Sequence, residues 1–158
     1  MDVSSLISLD LSNFNTSSVT NMYSMFNGCS SLISLNLSNF NTSSVKNMYV
    51  MFYRCSSLIS LNLSNFDTSS VTNMNGMFYG CSSLISLDLS NSYLKYFYFL
   101  DSCKSSLISI NLSNSYSSIK ASLEIYFLIM HHWYQLIFQI FILLIIQIWK
   151  ICFIIVNH

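Results

Sequence analysis

The sequence predicts a solenoid of short parallel strands stacked with tight helical or 3₁₀-like returns, followed by an apolar C-terminal helix. The string S-L-I-S-L-[DN]-L-S-N begins at Ser5, Ser31 and Ser57 with a spacing of 26 residues. It returns at Ser83, and after a shortened step of 23 at Ser106 as S-L-I-S-I-N-L-S-N. A fixed period in the twenties marks a stack of units, each burying its apolar side only against its neighbours. The repeat then ceases, and residues 125–156 form a continuous apolar stretch whose only formally charged side chain is Lys150.

Within the unit Leu32–Ser57, the expected inward residues are Leu32, Leu35, Leu37, Phe40, Val45, Met48, Met51, Phe52 and Cys55. The opening L-x-x-L-x-L matches the strand half of a leucine-rich repeat, so the solenoid is expected to be of leucine-rich-repeat type. Leu35 and Leu37 alternate inward on that strand, with Ser34, Asn36 and Ser38 outward. The second half, F-x-T-x-x-V-x-x-M-x-x-M-F-x-x-C, spaces its apolar residues by three, which suits a tight helical or 3₁₀ return. Units start near residues 3, 29, 55, 81 and 103, so the solenoid covers 3–118 and the apolar tail 121–156.

Composition narrows the function classes. Six acidic and six basic side chains cancel, which disfavours electrostatic attraction to nucleic acid. Charged residues are 8% of the chain, against roughly 25% in ordinary soluble domains, and Ser and Asn take the water-facing role. Proline is absent and glycine occurs three times, a bias that fits an A+T-rich coding sequence. No secretory leader is legible, because Met1–Val3 runs straight into a repeat, and the chain is expected to begin inside a larger gene product.

These residues resemble the BspA-like leucine-rich-repeat surface proteins in their 26-residue form. The resemblance is carried by V-T-N-M at Val19–Met22 and Val71–Met74, and by M-F at Met25–Phe26, Met51–Phe52 and Met77–Phe78. It implies a cell-surface protein, often secreted or membrane-anchored, that adheres to host or matrix components.

Chemistry-bearing motifs are few. Cys29, Cys55, Cys81 and Cys103 recur once per unit, so they form a ladder rather than a tetrahedral metal site, and are expected to be small core residues. The Met22/48/74, Met25/51/77 and Phe26/52/78 rows read as core for the same reason. Asn-x-Ser/Thr patterns at Asn15, Asn36, Asn41, Asn62 and Asn111 recur because the repeat recurs. His131 and His132 are adjacent and diverge by about 100° on a helix, so they cannot chelate one ion. No catalytic constellation, metal site or cofactor is expected, and an enzyme is not.

The candidate binding face is the outward strand surface. One row comprises Ser8, Ser34, Ser60, Ser86 and Ser109, and a second Asp10, Asn36, Asn62, Asp88 and Asn111. A third comprises Ser12, Ser38, Ser64, Ser90 and Ser113. Such a field of hydroxyls and amides suits a glycan or an extended polypeptide; the alternative is a solvated face with no ligand. Function is thus expected to be non-catalytic binding or adhesion at a membrane or cell surface. The rival expectation is a truncated repeat fragment without independent function.

For the tail, Trp133–Val156 supplies 24 residues, enough for a transmembrane helix, with Trp133, Tyr134 and Trp149 as interfacial aromatics. Its rivals are an apolar cap on the last unit and frame-shifted A+T-rich sequence. On a helix, Glu124, His131, His132, Gln135, Gln139, Gln147 and Lys150 share an arc of about 160°, a polar stripe suited to self-association.

Overall fold

A computed structural model describes residues 5–94, Leu100, Cys103 and 106–117, together with Ile137, Ile142, Leu144 and Ile145 of the tail. The chain divides into two units, Met1–Ser122 and Leu123–His158. The first contains the strands β1 (Ser8–Asp10), β2 (Ser34–Asn36), β3 (Ser60–Asn62), β4 (Ser86–Asp88), β5 (Tyr93–Leu94), β6 (Ser109–Asn111) and β7 (Tyr116–Ser117). It is a repeat solenoid of short parallel strands.

The repeat string sets the strand register. β1 pairs parallel with β2 through Ser8–Ser34, Leu9–Leu35 and Asp10–Asn36. β3 pairs with β4 and β4 with β6 in the equivalent register, the last across the shortened step. Equivalent residues therefore stand beside each other, as parallel stacking of near-identical units requires. β5 and β7 add a second parallel pair in the last two units only.

The return is not a continuous helix. Its amides alternate between two tasks. In the second unit Met51 N–H donates to Met48 O, Tyr53 to Val50 and Cys55 to Phe52, each at 3.2 Å, closing turns of 3₁₀ type. The amides between them reach the next unit instead: Met48 to Asn73 O (2.9 Å), Val50 to Asn75 O (3.1 Å), Phe52 to Met77 O (2.9 Å) and Arg54 to Tyr79 O (2.7 Å). Two left-handed residues per return break any helix, at Ser24, Val50 and Gly76 and again at Gly28, Arg54 and Gly80. The spacing of three is thus produced by successive turns, each putting an apolar side chain inward.

Eight of the nine expected core positions in the second unit are buried, with Leu35 half-buried. Phe26, Phe52 and Phe78 stack at 5.4 Å between ring centroids with planes 4° apart, and Phe40 and Phe66 at 6.4 Å. Two methionines depart from the expected core rows. Met74 is half-buried, and Met25 is 44% exposed because only the following unit packs on it among the described residues.

One buried column is polar. Thr16, Thr42 and Thr68 point inward, and each hydroxyl donates to a carbonyl of the next unit, at Asn41 (3.0 Å), Asp67 (2.9 Å) and Tyr93 (2.6 Å). Nothing in an apolar periodicity marks these threonines as core. The column ends where Leu94 takes the threonine position and Ser92 the phenylalanine position of the preceding unit. The Ser92 hydroxyl is buried with no hydrogen-bond partner among the described residues.

The expected apolar C-terminal helix, with its candidate span 133–156, lies outside the described residues except at Ile137, Ile142, Leu144 and Ile145, whose backbone is helical. Among the described residues no helix is long and apolar enough to cross a membrane.

Candidate functional site

The strands assemble the candidate rows by register. Ser8 stands beside Ser34, Ser60 beside Ser86 and Ser86 beside Ser109. Asp10 stands beside Asn36, Asn62 beside Asp88 and Asp88 beside Asn111 in the same way. Ser8, Asp10, Ser34, Asn36, Ser60, Asn62, Ser109 and Asn111 are exposed, whereas Ser86 and Asp88 are half-buried. The third row is interrupted, because Ser90 is only 7% exposed.

The acidic and amide row has a structural task of its own. One side-chain oxygen of Asp10, Asn36, Asn62, Asp88 and Asn111 accepts the amide N–H two residues on, at Ser12, Ser38, Ser64, Ser90 and Ser113, over 2.9–3.1 Å. These Asx turns end each strand and swing the chain into the return. Asn15, Asn41 and Asp67 form a second column of such turns, and Asn21, Asn47 and Asn73 a third. The row therefore offers a ligand only the remaining Oδ2 or Nδ2 atoms, and at the fourth junction those pair with each other, Asn111 Nδ2 donating to Asp88 Oδ2 at 3.1 Å.

The hydrogen bonds also shift acidity. The Ser12 amide, followed by the Ser12 hydroxyl, holds Asp10 below the ordinary carboxylate value, and the hydroxyl and amide of Ser69 do the same for Asp67. Burial pushes Asp88 up, but donation from Ser90 and Asn111 outweighs it and the net shift is downward.

An apolar column that the candidate rows omit runs beside the serines. Ile7, Ile33, Ile59, Ile85 and Ile108 are 43–67% exposed. Strict alternation with Leu35 and Leu37 would turn Ile33 inward. It faces out because the strand starts only at Ser34, after a turn in which Leu32 N–H donates to Cys29 O at 3.1 Å. The signal was its place immediately after the inward leucine of each turn. On the return, Tyr23 stacks on Tyr49 at 5.7 Å and Tyr53 on Tyr79 at 5.1 Å, so one face of each phenol is covered by its pair partner.

Cys29, Cys55 and Cys81 are buried free thiols, and Cys103 is buried. Cys55 Sγ donates to Phe26 O and Cys81 Sγ to Phe52 O, each at 3.1 Å, so these two thiols are tied to the preceding unit. Burial, then the neighbouring Cys29, pushes the Cys55 thiol up to about 12, and burial raises Cys81 as well. Among the described residues no group of three or more His, Cys, Asp or Glu side chains is placed to hold a metal ion.

Register, Asx corners and turn-built returns define a repeat solenoid displaying a polar strand face with an apolar margin. The chain belongs to the DUF285 family, described as a Mycoplasma protein of unknown function, whose family model matches residues 2–98. No curated protein and no solved structure matches the chain.

Proposed function

We propose that the chain is a non-catalytic binding and adhesion module of the BspA-like leucine-rich-repeat surface type. Its strand face meets a protein or glycan ligand, and residues 133–156 hold it at a membrane with the array displayed at the cell surface. The observation that supports the reading is the pairing of two surfaces in one register: the exposed serine row and the exposed isoleucine column next to it. Hydroxyls give directional hydrogen bonds, the isoleucines give area to remove from water, and a repeated spacing of about 4.8 Å suits a repetitive ligand. Contiguous apolar surface rimmed by polar groups is the usual mark of an interaction site.

The test uses immobilised matrix proteins and neutral glycans as probes for the full chain. Replacing the exposed Ser8, Ser34 and Ser60 by Lys sets three like charges in one column, and should abolish binding while the circular-dichroism spectrum is kept. Binding that survives the triple substitution removes the strand face from consideration.

A further inference from the structure

The strand ladder is interrupted between the second and third units. β1–β2 form one sheet and β3–β4–β6 another, so the adjacent strands β2 and β3 are not paired. Elsewhere the ladder extends beyond the strands: Leu11 N–H donates to Asn36 O (3.0 Å), Leu63 to Asp88 O (2.9 Å) and Leu89 to Asn111 O (2.9 Å). Ile33, Ile85 and Ile108 likewise donate to Ile7, Ile59 and Ile85, each at 2.8 Å. Leu37 and Ile59 make no equivalent bond among the described residues. Asn65 marks the break. Asn39 and Asn91 donate to Ser12 O and Ser64 O of the preceding unit, but Asn65 Nδ2 reaches past Ser38 to Leu37 O (3.0 Å) and Phe40 O (2.8 Å). The gap is a cleft of about 150 Å³ lined by Leu35, Asn36, Leu37, Ser38, Asn62, Ser64 and Asn65.

We propose that this cleft is a subsite for one neutral sugar ring of a glycan, an inference that rests on the strand-face reading above. No charged side chain lines it, so neither an anionic nor a cationic group is favoured. Its volume is below the roughly 300–1,000 Å³ of sites for drug-sized ligands, which suits a single ring. Because Ser38 N–H and Ser64 N–H hold the Oδ1 atoms of Asn36 and Asn62, both carboxamide planes are fixed before a ligand arrives. Asn36 lines the cleft, and its Nδ2 group is a donor. The Asn62 Nδ2 group, Asn65 Oδ1 and the hydroxyls of Ser38 and Ser64 complete a set of donors and acceptors matched to sugar hydroxyls. Leu35, which is half-buried, borders the cleft beside these polar groups. A guest β-strand does not fit. On the return side Phe52 N–H holds Met77 O at 2.9 Å, so β2 and β3 cannot part by the further 4.8 Å or so that an inserted strand needs.

The experiment titrates the full chain with neutral trisaccharides of glucose and of N-acetylglucosamine, read by saturation-transfer NMR. At least one is expected to bind. Ser38→Leu, at an exposed position on the cleft, should weaken it by about tenfold or more, while Ser18→Leu, at an exposed position outside the strand rows and the cleft, should leave it unchanged. If S38L binds like the parent chain while the triple lysine variant does not, the subsite is overturned and the strand face stands. Equal loss in both leucine variants, or no binding of any neutral trisaccharide, also overturns the subsite. Should S38L not fold, the carboxamide NH₂ resonances of Asn36 and Asn62 in the parent chain decide: shifts on titration support the site, and unshifted signals overturn it.

Discussion

The Thr16 hydroxyl donates to the Asn41 carbonyl at 3.0 Å and accepts the Asn41 N–H at 2.8 Å, so one side chain satisfies both backbone groups of a residue in the next unit. Thr68 does the same for Tyr93, at 2.6 and 2.8 Å. Each threonine stands in for a rung of ladder that the backbone does not form at that level.

Thr16→Val keeps the shape and removes the hydroxyl, leaving the Asn41 amide without this acceptor. Loss of stability of about 1–3 kcal/mol is expected, the cost of abandoning a buried polar group. Thr16→Ser retains the hydroxyl and should recover most of it. Urea midpoints of the three chains provide the comparison, and a valine variant as stable as the parent contradicts the role.

The thiol ladder should be chemically silent in the folded chain. With its thiol pushed up to about 12, Cys55 has only about one thiolate in 10⁴ at pH 8, far below an ordinary cysteine. Labelling of Cys55 and Cys81 by a thiol-specific alkylating reagent is therefore expected only at the rate of unfolding, and rapidly in denaturant. Mass spectrometry of timed digests reads this directly, and fast native labelling of either residue contradicts the burial assigned to it.

Stability should fall in acid. Asp10, Asp67 and Asp88 have folded acidities stronger than the ordinary carboxylate, so the unfolded chain binds more protons as pH drops. Their contribution is complete above the ordinary value of 3.8 and is lost as pH falls through the lower folded values. A variant with Asn at all three positions keeps the Asx turns, as Asn36, Asn41 and Asn62 already do, and should show a flatter profile below about pH 4. Identical urea midpoints against pH for both chains would exclude this linkage.

For the tail, the proposed membrane anchor predicts that the full chain stays with membranes extracted at alkaline pH, and that a chain lacking residues 121–158 washes off. Equal release of both removes the anchor. Substituting Gln135, Gln139 and Gln147 by Leu should lower the yield of crosslinked dimer without releasing the chain, since glutamines paired across helices contribute about 0.6–2 kcal/mol each.

The period of 26 residues determined the solenoid, its register and most of its core, because stacking near-identical units puts each residue beside its own copy whatever the path between. Phe52 between Phe26 and Phe78, and Cys55 against the preceding unit, follow from spacing alone. Tertiary structure decided what spacing does not encode. Turns with left-handed residues at Ser24 and Val50, rather than a helix, shape the return, and a turn before each strand sends Ile33 outward. The inward threonines are set by the carbonyls their hydroxyls meet. The cleft between β2 and β3 is the plainest case. The strand string of the two units is identical from Ser31 to Phe40 and from Ser57 to Phe66, yet the ladder opens there and closes on either side. Identical strings cannot distinguish one junction from the next; the Asn65 contacts to Leu37 and Phe40, made across the stack, do.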